Sequence, residues 1–305
     1  MNKPINSPFR YPGGKFYARN LILNHIPSHS YYAEPFAGGG SIFFVKDKVN
    51  INWLNDIDEL LINTLLIIRD KPEELIKFLE GEPATKEKHT YYKNEFTPQN
   101  KLEQAGRWFY LNRTSYSGIM KHQNCYWGYG EKYSMRPENW PRNIRRTSEK
   151  LQNVKISNLD FEEVIESVPD GSFLFIDPPY FNADQDKFYV HSFSKDDHFR
   201  LCKILNRHQH RIKFLITYDN SNEIRNLYEW ALEIHDKEWN YTINRTDDQK
   251  NGKSKQDNFK GERYKGKEIF ILNYSSVDSN FQKYEKPCPE SLEQLLNQLQ
   301  SSISR

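Results

Sequence analysis

The sequence predicts an α/β fold, a doubly wound, Rossmann-like sheet with an antiparallel edge strand and an inserted, mainly helical domain. Short apolar runs alternate with amphipathic stretches in both outer parts of the chain, a pattern typical of parallel strands joined by helices. The alternation stops between residues 71 and 146 and then resumes, which indicates an insertion. A loop joins the last two predicted strands, so we expect those strands to be antiparallel.

The interruption divides the 305-residue chain into two folded units and a polar tail, and this length is sufficient for two cores. The first unit is discontinuous and the second is the insertion. The predicted boundaries are 1–70 with 147–283 for the discontinuous unit, 71–146 for the insertion and 284–305 for the tail.

Hydrophobic periodicity and turn residues place the individual elements. The predicted strands are at 31–33, 51–54, 154–157, 172–177, 212–217, 232–243 and 268–274. The predicted helices are at 21–26, 41–45, 60–68, 72–80, 86–96, 161–167, 196–208 and 223–230.

Positive charge is concentrated in one part of the chain. Residues 101–155 hold 11 Lys and Arg against 4 Asp and Glu, whereas the whole chain has a formal charge of only +2. Aromatic residues are interleaved with these basic ones. Basic side chains neutralise phosphates and aromatic rings stack on or wedge between bases, so this segment is a candidate nucleic-acid surface. A solvated charged face is the alternative.

The three cysteines are far apart and share no metal-ligand spacing, so neither a disulfide framework nor a metal site is predicted. The first residues lack the apolar core of a signal peptide. No apolar run approaches the ~20 residues that span a bilayer. We therefore expect a cytoplasmic protein without membrane association.

A glycine turn, Gly38-Gly39-Gly40, lies between a predicted strand and a predicted helix, where backbone can approach a ligand closely. Asp56 ends the next strand, where an acidic residue commonly accepts ribose hydroxyls. The alternatives are a tight turn without a ligand and a helix N-cap at Asp56. Together the two features suggest a nucleoside-like ligand without phosphates, a description that S-adenosylmethionine fits.

The stretch Asp177-Pro178-Pro179-Tyr180 follows the apolar run 173–176 at the carboxyl end of a predicted buried strand. An aromatic amine is a poor nucleophile because its lone pair is delocalised into the ring. The Asp177 carboxylate and the Pro178 carbonyl can accept both N–H groups and turn the lone pair toward a methyl donor. The Tyr180 ring can stack on the base.

These stretches, in this order, resemble the Dam-type (D12 class) DNA adenine-N6 methyltransferases. The similarity extends from about residue 7 to 274. The resemblance implies a Rossmann-like methyltransferase domain with an inserted target-recognition domain, S-adenosyl-L-methionine as cofactor and an adenine flipped out of duplex DNA as substrate. The motifs that carry the resemblance are SPFRYPGGK, AEPFAGGGS, Asn55-Asp56-Ile57-Asp58, FYLNRTSYSG at 109–118 and FIDPPY.

The resemblance also implies roles for individual residues. Catalysis falls to Asp177, Pro178, Pro179 and Tyr180. The implied cofactor-binding residues are Tyr11, Lys15, Pro35, Phe36, Gly38, Gly40, Ser41, Asp56, Asp160, Phe161 and Asp177. The implied DNA-binding residues are Arg113, Tyr116, Ser117, Lys121, Lys132 and Arg136.

Tyr116 is the candidate intercalating residue, because the family has an aromatic residue at this place. Relatives that read GATC usually carry an arginine just after it, whereas this chain has Lys121 followed by the stretch 125–130, CYWGYG. The resemblance therefore does not extend to GATC recognition. The basic segment at 246–267 is a second candidate for contact with the DNA backbone.

Several expectations follow for partners and setting. Double-stranded DNA is the expected partner, and a restriction endonuclease acting on the same site is a candidate. We expect a monomer or weak dimer, nucleoid-associated in a prokaryote or phage-encoded, that serves restriction-modification or epigenetic marking. The alternatives are an amino methyltransferase acting on cytosine N4 or RNA, which more often carries Ser or Asn at position 177, and a catalytically dormant DNA-binding protein.

Overall fold

The computed structural model describes residues 5–132, 134–183, 189–240 and 265–275, with the side chains of 238–240 and 265–267 excepted. Seven strands form one sheet in the order β3-β2-β1-β4-β5-β7-β6. The first five run parallel, and β7 lies antiparallel between β5 and β6. The predicted doubly wound, Rossmann-like sheet with an antiparallel edge is therefore confirmed.

The strands and helices lie close to where the sequence places them. The strands are β1 (Tyr31–Glu34), β2 (Ile51–Asn55), β3 (Val154–Ser157), β4 (Phe173–Ile176), β5 (Lys213–Asp219), β6 (Glu233–Asn240) and β7 (Lys265–Leu272). The helices are α1 (Arg19–Leu23), α2 (Ser41–Val45), α3 (Glu59–Asp70), α4 (Pro72–Leu79), α5 (Lys86–Asn94), α6 (Lys101–Thr114), α7 (Trp140–Leu151), α8 (Phe161–Ser167), α9 (Lys195–His208) and α10 (Asn222–Leu227).

The first helix begins two residues earlier than expected and ends at Leu23. The charged segment predicted at 246–267 lies outside the described residues as far as residue 264, and the tail at 284–305 lies outside them entirely. Of the residues that the structure describes, none belongs to a helix with the length and apolar character required to cross a membrane.

The centre of the sheet is apolar because helices cover both of its faces. Every residue of β4 is buried, and β5 is buried from Phe214 to Thr217. Two apolar clusters, one on each side, hold alternate residues of these strands: Phe173 and Phe175 belong to one, and Leu174 and Ile176 to the other. The period of two along a strand explains this division.

The inserted segment is helical and shares a core with the sheet domain. Helix α6 packs against α3, and its Trp108, Phe109 and Tyr110 are buried. Much of the aromatic content that the sequence suggested for a nucleic-acid surface is therefore core. The predicted boundary at residue 146 falls inside helix α7, which leads directly into β3. The division into two units stays a prediction.

One side chain joins the insertion to the N-terminal motif. Asn112, on α6, is fully buried. Its Oδ1 accepts a hydrogen bond from the Arg10 backbone N–H (3.0 Å), and its Nδ2 donates to the Arg10 carbonyl (2.8 Å). An amide satisfies both backbone groups at once, as a neighbouring strand would.

We expect Asn112→Ala to lower the free energy of unfolding by about 2 kcal/mol, because it leaves two buried backbone groups of Arg10 unsatisfied. Urea titration followed by circular dichroism measures the change. Asn94→Ala, an exposed asparagine at the end of α5, is the control and should shift stability by less than about 0.5 kcal/mol. Equal stabilities for the two variants would contradict the assignment.

Candidate active site

A cavity of about 310 Å³ opens at the carboxyl ends of the parallel strands β1, β2 and β4. This is the edge at which open α/β sheets bind ligands, since loops diverge there on either side of a change in strand order. The N-terminal motif, the glycine turn and the segment 189–193 complete its walls. The predicted residues that line it are Tyr11, Lys15, Phe36, Gly38, Ser41, Asp56, Asp177, Pro178, Pro179 and Tyr180.

Asp177 lies directly after β4 and is held by two side chains. Lys15 Nζ lies 2.7 Å from Asp177 Oδ1 and 2.8 Å from Oδ2. Thr217 Oγ1 donates to Oδ1 at 2.6 Å. The strand register explains the contact with Thr217. Strands β4 and β5 pair Ile176 with Ile216, so Asp177 and Thr217, which follow them, lie side by side at the sheet edge.

The contacts of Asp177 differ between its two oxygens. A carboxylate oxygen has two acceptor positions, and those of Oδ1 are taken by Lys15 and Thr217. Among the described residues, Oδ2 accepts only from Lys15. One acceptor position on Oδ2 is therefore available to a donor that enters the cavity.

Lys15 is buried, and its ammonium also donates to the Gly13 carbonyl at 2.8 Å. Burial opposes its charge, but the Asp177 and Glu268 carboxylates outweigh that effect and raise the pKa of Lys15. The ammonium lies 4.9 Å from the centroid of the Tyr180 ring. A fixed positive charge thus connects the N-terminal motif to the stretch that follows β4.

Tyr180 is anchored at its far end. Its hydroxyl donates a hydrogen bond to Glu268 on β7. Burial raises the pKa of Glu268 to about 8, although Lys15 and the Tyr180 hydroxyl both act in the opposite direction. The ring is held between this bond and the Lys15 ammonium, with its hydroxyl turned away from solvent.

The glycine turn approaches Asp56 as the sequence predicts. Gly38 and Gly40 both have positive φ, and a Cβ at Gly38 would lie 3.0 Å from the Tyr11 ring. Asp56 Oδ2 accepts from the Gly38 N–H (2.8 Å) and Oδ1 from the Asp58 N–H (3.0 Å). Burial raises the pKa of Asp56 to about 6. The N-cap of α3 is Asp58, so the capping alternative considered for Asp56 is wrong.

A smaller cavity of about 210 Å³ continues from the first one and has an aromatic wall. The Phe36 and Phe161 rings are stacked with centroids 5.3 Å apart, and Phe193 packs edge-on against Phe36 at 5.5 Å. Asp160 lies at its rim, where it caps α8 and forms an ion pair with Arg200 at 3.0 Å. Pro35 lies in the same wall. This shape suits a flat heterocycle.

The predicted DNA-binding residues occupy different environments. Tyr116 is 41% exposed and begins a short turn in which Ser117 has a φ of +53°. Lys132 and Arg136 are exposed, and Lys121 is half-buried. Arg113 is buried, and its guanidinium donates to the Pro8 carbonyl. Burial lowers the pKa of Arg113 to about 10.

The position of Arg113 argues against the predicted phosphate contact, since its side chain points into the junction between α6 and the N-terminal motif. Its sequence neighbours are also buried, because residues 110–115 pack inside the insertion.

Sequence reasoning missed Thr217 and Glu268. Thr217 is the one threonine in β5, within its buried part, and Glu268 is an acidic residue directly before the apolar run Ile269–Leu272. An isolated polar residue in a buried strand needs a partner. That signal was present in the sequence, but only the strand order shows that both residues reach the Asp177 edge.

Three relatives show what the chain is similar to. It is 29% identical over 233 residues to the Type II methyltransferase M.CviBI of Paramecium bursaria Chlorella virus NC1A, covering 74% of this chain and 86% of that protein. It is 30% identical over 226 residues to the Type II methyltransferase M1.LlaDCHI of Lactococcus lactis subsp. cremoris, covering 66% and 76%. It is 29% identical over 239 residues to the DNA N-6-adenine-methyltransferase of Escherichia phage P1, covering 73% of this chain but 31% of that longer protein.

The family match covers most of the same region. Residues 11–243 match the model of the D12 class N6 adenine-specific DNA methyltransferases, which is well over half of the 305 residues. The matched part contains the insertion and also the glycine turn, Asp56 and Asp177, of which Gly38, Gly39, Asp56 and Asp177 line the cavity. The chain therefore belongs to the D12 class of N6 adenine-specific DNA methyltransferases.

Proposed function

We propose that this chain transfers the methyl group of S-adenosyl-L-methionine to N6 of an adenine flipped out of duplex DNA. The observation that carries the proposal is the Asp177 carboxylate, which lines the cavity, is held by Lys15 and Thr217, and accepts at Oδ2 from no described residue other than Lys15. Membership of an adenine-specific family favours this reaction over the cytosine and RNA alternatives.

The charges around the cavity support a cationic cofactor without phosphates. Its lining includes four carboxylates against the single ammonium of Lys15, and the described lining contains no arginine. A phosphate-bearing ligand would be repelled by such a set, whereas a sulfonium and an ammonium group would be attracted. These four are Glu34, Asp56, Asp58 and Asp177; burial raises the pKa of Glu34 to about 8, so the three aspartates supply the negative charge near neutral pH.

Each part of the proposed cofactor site has suitable residues. Asp56 would accept the ribose hydroxyls, and the backbone of Gly38 and Gly40 permits close approach. The stacked Phe36 and Phe161 rings, with Asp160 at the rim, would hold the adenine. The remaining proposed cofactor contacts are Tyr11, Lys15, Pro35, Ser41 and Asp177.

The residues after β4 would prepare the target amine. Asp177 Oδ2 and the Pro178 carbonyl would accept the two N6 protons, which turns the lone pair out of the ring plane. S-adenosylmethionine supplies an electrophilic methyl group on a cationic sulfur. The Asp177 carboxylate would also stabilise the positive charge that develops on N6 as the new bond forms.

Tyr180 and the Pro178-Pro179 pair would form the place into which the base is flipped. The Tyr180 ring is fixed at its hydroxyl by Glu268, so it offers a preformed stacking surface. Extrusion of a base from the duplex costs a few kcal/mol, and stacking of about 1–3 kcal/mol per base offsets much of that cost. A rigid ring loses little entropy when the base arrives.

The proposed DNA-facing surface is the stretch that begins at Tyr116. Tyr116 N–H donates to the Tyr126 carbonyl at 2.8 Å, and both rings are exposed. The pair supports an aromatic wedge at the tip of the insertion. Lys121, Lys132 and Arg136 would neutralise phosphates, with Ser117 as a short polar contact.

We also propose a cellular role for the methylation. The names of the viral and bacterial relatives support a place in restriction-modification, with an endonuclease acting on the same site as a candidate partner. Epigenetic marking is the other setting. We propose a monomer or weak dimer acting in the cytoplasm on chromosomal or phage DNA.

We expect Asp177→Ala to lower methyl transfer by about 10³-fold or more, because the acceptor for N6 and the charge opposite it are both removed. Transfer of labelled methyl to unmethylated duplex DNA measures the rate. Binding of the duplex, followed by fluorescence anisotropy, should change little. Asp177→Asn tests the charge alone, and Asp170→Ala, on an aspartate whose side chain is 84% exposed, is the control. Near-normal transfer by both Asp177 variants would refute the role.

We expect Asp56→Ala to weaken S-adenosylmethionine binding about tenfold or more, because the ribose loses an acceptor and the glycine turn loses its anchor. Since the Asp56 carboxyl has a pKa raised to about 6, wild-type affinity should fall as the pH drops through that value and the carboxylate is protonated. Isothermal titration calorimetry measures both effects. Asp47→Ala, on an exposed aspartate, should bind as wild type does. A wild-type affinity that stays constant from pH 5 to 7 would be inconsistent with this role.

We expect Tyr116→Ala to lower affinity for duplex DNA about tenfold, because a wedge residue contributes about 1–3 kcal/mol of stacking. Anisotropy of a labelled duplex gives the affinity, and 2-aminopurine fluorescence at the target position reports base extrusion. The matched control is Tyr91→Ala on α5, since Tyr91 is 38% exposed against 41% for Tyr116. If both variants bind and extrude the base equally well, Tyr116 is not the wedge.

A further inference from the structure

Glu268 is a buried acidic residue next to the proposed active site, with no role assigned so far. It lies on β7, is 1% exposed and stands outside the family-matched residues 11–243. In the sheet it is paired with Asp219 on β5 and Lys237 on β6. A buried acid on an interior strand of the sheet costs stability unless its polar atoms are compensated.

The two oxygens of this carboxyl group differ. Oε2 accepts the hydrogen bond from the Tyr180 hydroxyl. Oε1 is buried and has no hydrogen-bond partner among the described residues. Native structures leave few buried polar atoms unsatisfied, so such an atom calls for an explanation.

The surroundings of Glu268 contain charged groups of both signs. Burial raises its pKa, and the carboxylates of Asp177 and Asp219 act in the same direction. Lys15 and the Tyr180 hydroxyl oppose them. The facing groups are Lys15 from the N-terminal motif, Asp177 and Tyr180 after β4, Tyr189, Asp219 on β5 and Lys237 on β6.

We propose that Glu268 is a positioning residue of the methyltransferase site, which holds Tyr180 by its hydroxyl and adds a negative charge behind the Lys15–Asp177 pair. This inference rests on the proposed function. The contact to Tyr180 fixes the ring that the target base would stack on, from a strand that does not itself line the cavity.

The negative charge of an ionised Glu268 would act together with the Lys15–Asp177 ion pair. Lys15 and Asp177 cancel one another, so an ionised Glu268 leaves the group of three with a net negative charge. A net negative charge favours a cationic ligand in the cavity and a positive charge developing on N6. A neutral Glu268 would keep the Tyr180 contact but lose this contribution.

Three variants separate the two roles. Glu268→Ala removes both and should lower kcat about tenfold to a hundredfold, with KM for DNA nearly unchanged. Glu268→Gln keeps an acceptor for the Tyr180 hydroxyl and removes the charge. Tyr180→Phe removes the contact, so adding Glu268→Ala to it should cost much less than adding Glu268→Ala to wild type. Glu166→Gln, on a glutamate whose side chain is 53% exposed, is the control.

The pH dependence of activity and of cofactor binding is the measurement that a purely structural role of Glu268 would leave unchanged. In wild type, kcat/KM and the affinity for S-adenosylmethionine should both rise as the pH passes through about 8, where the raised pKa of Glu268 lies and its carboxylate forms. In Glu268→Gln this rise should be clearly smaller, because only Glu34 in the cavity lining, whose pKa burial also raises to about 8, still gains its charge there. Calorimetric binding in the absence of DNA gives the affinity independently of turnover.

The outcomes are distinct. If wild type transfers no methyl group to adenine, the proposed function fails. If wild type is active, equal kcat for wild type and Glu268→Ala overturns the positioning role. An identical pH profile for wild type and Glu268→Gln overturns the role of the charge. Strict additivity with Tyr180→Phe shows that Glu268 does not act through the hydroxyl and overturns that step.

Discussion

The ion pair between Lys15 and Asp177 is the contact on which the rest of the site depends. It joins residues 162 positions apart; the Lys15 side chain is 3% exposed and that of Asp177 is 21% exposed. A buried charge without its partner is strongly destabilising, so each residue requires the other. The N-terminal motif can pack beside β4 only because a carboxylate is there, and that carboxylate is oriented only because the ammonium approaches it.

From this pair the site extends in two directions, each of which brings together residues that are distant from Lys15 or Asp177 in the sequence. Toward β2 lie the glycine turn and Asp56, joined by the hydrogen bond that the Gly38 N–H donates to the Asp56 carboxylate. Toward the antiparallel edge lie Thr217 and Glu268, which hold Asp177 and Tyr180 from behind. One wall of the cavity is therefore formed by turns whose residues are close in sequence. Another wall depends on which strands are neighbours in the sheet. These two sides were not equally accessible to sequence reasoning.

The sequence predicted the elements and the residues that carry recognisable motifs, because apolar periodicity and proline and glycine turns are local properties. Thr217 and Glu268 were missed because their place depends on which strands are neighbours, a property of the whole sheet. Arg113 was assigned to the surface because a basic residue among aromatics has the same local pattern whether it faces solvent or a helix junction. Its contact to Pro8 joins segments more than a hundred residues apart.

The paired hydrogen bonds between Asn112 and the Arg10 backbone have a consequence for how such enzymes diversify. New target sequences would arise most simply by exchange of the inserted helices between relatives. Here the last turn of α6 is hydrogen-bonded to the segment that carries Lys15. A transplanted insertion without an amide side chain at that position would therefore disturb the methyl-transfer site as well as target recognition. An exchange confined to residues from Tyr116 onward would leave the Asn112–Arg10 contact in place.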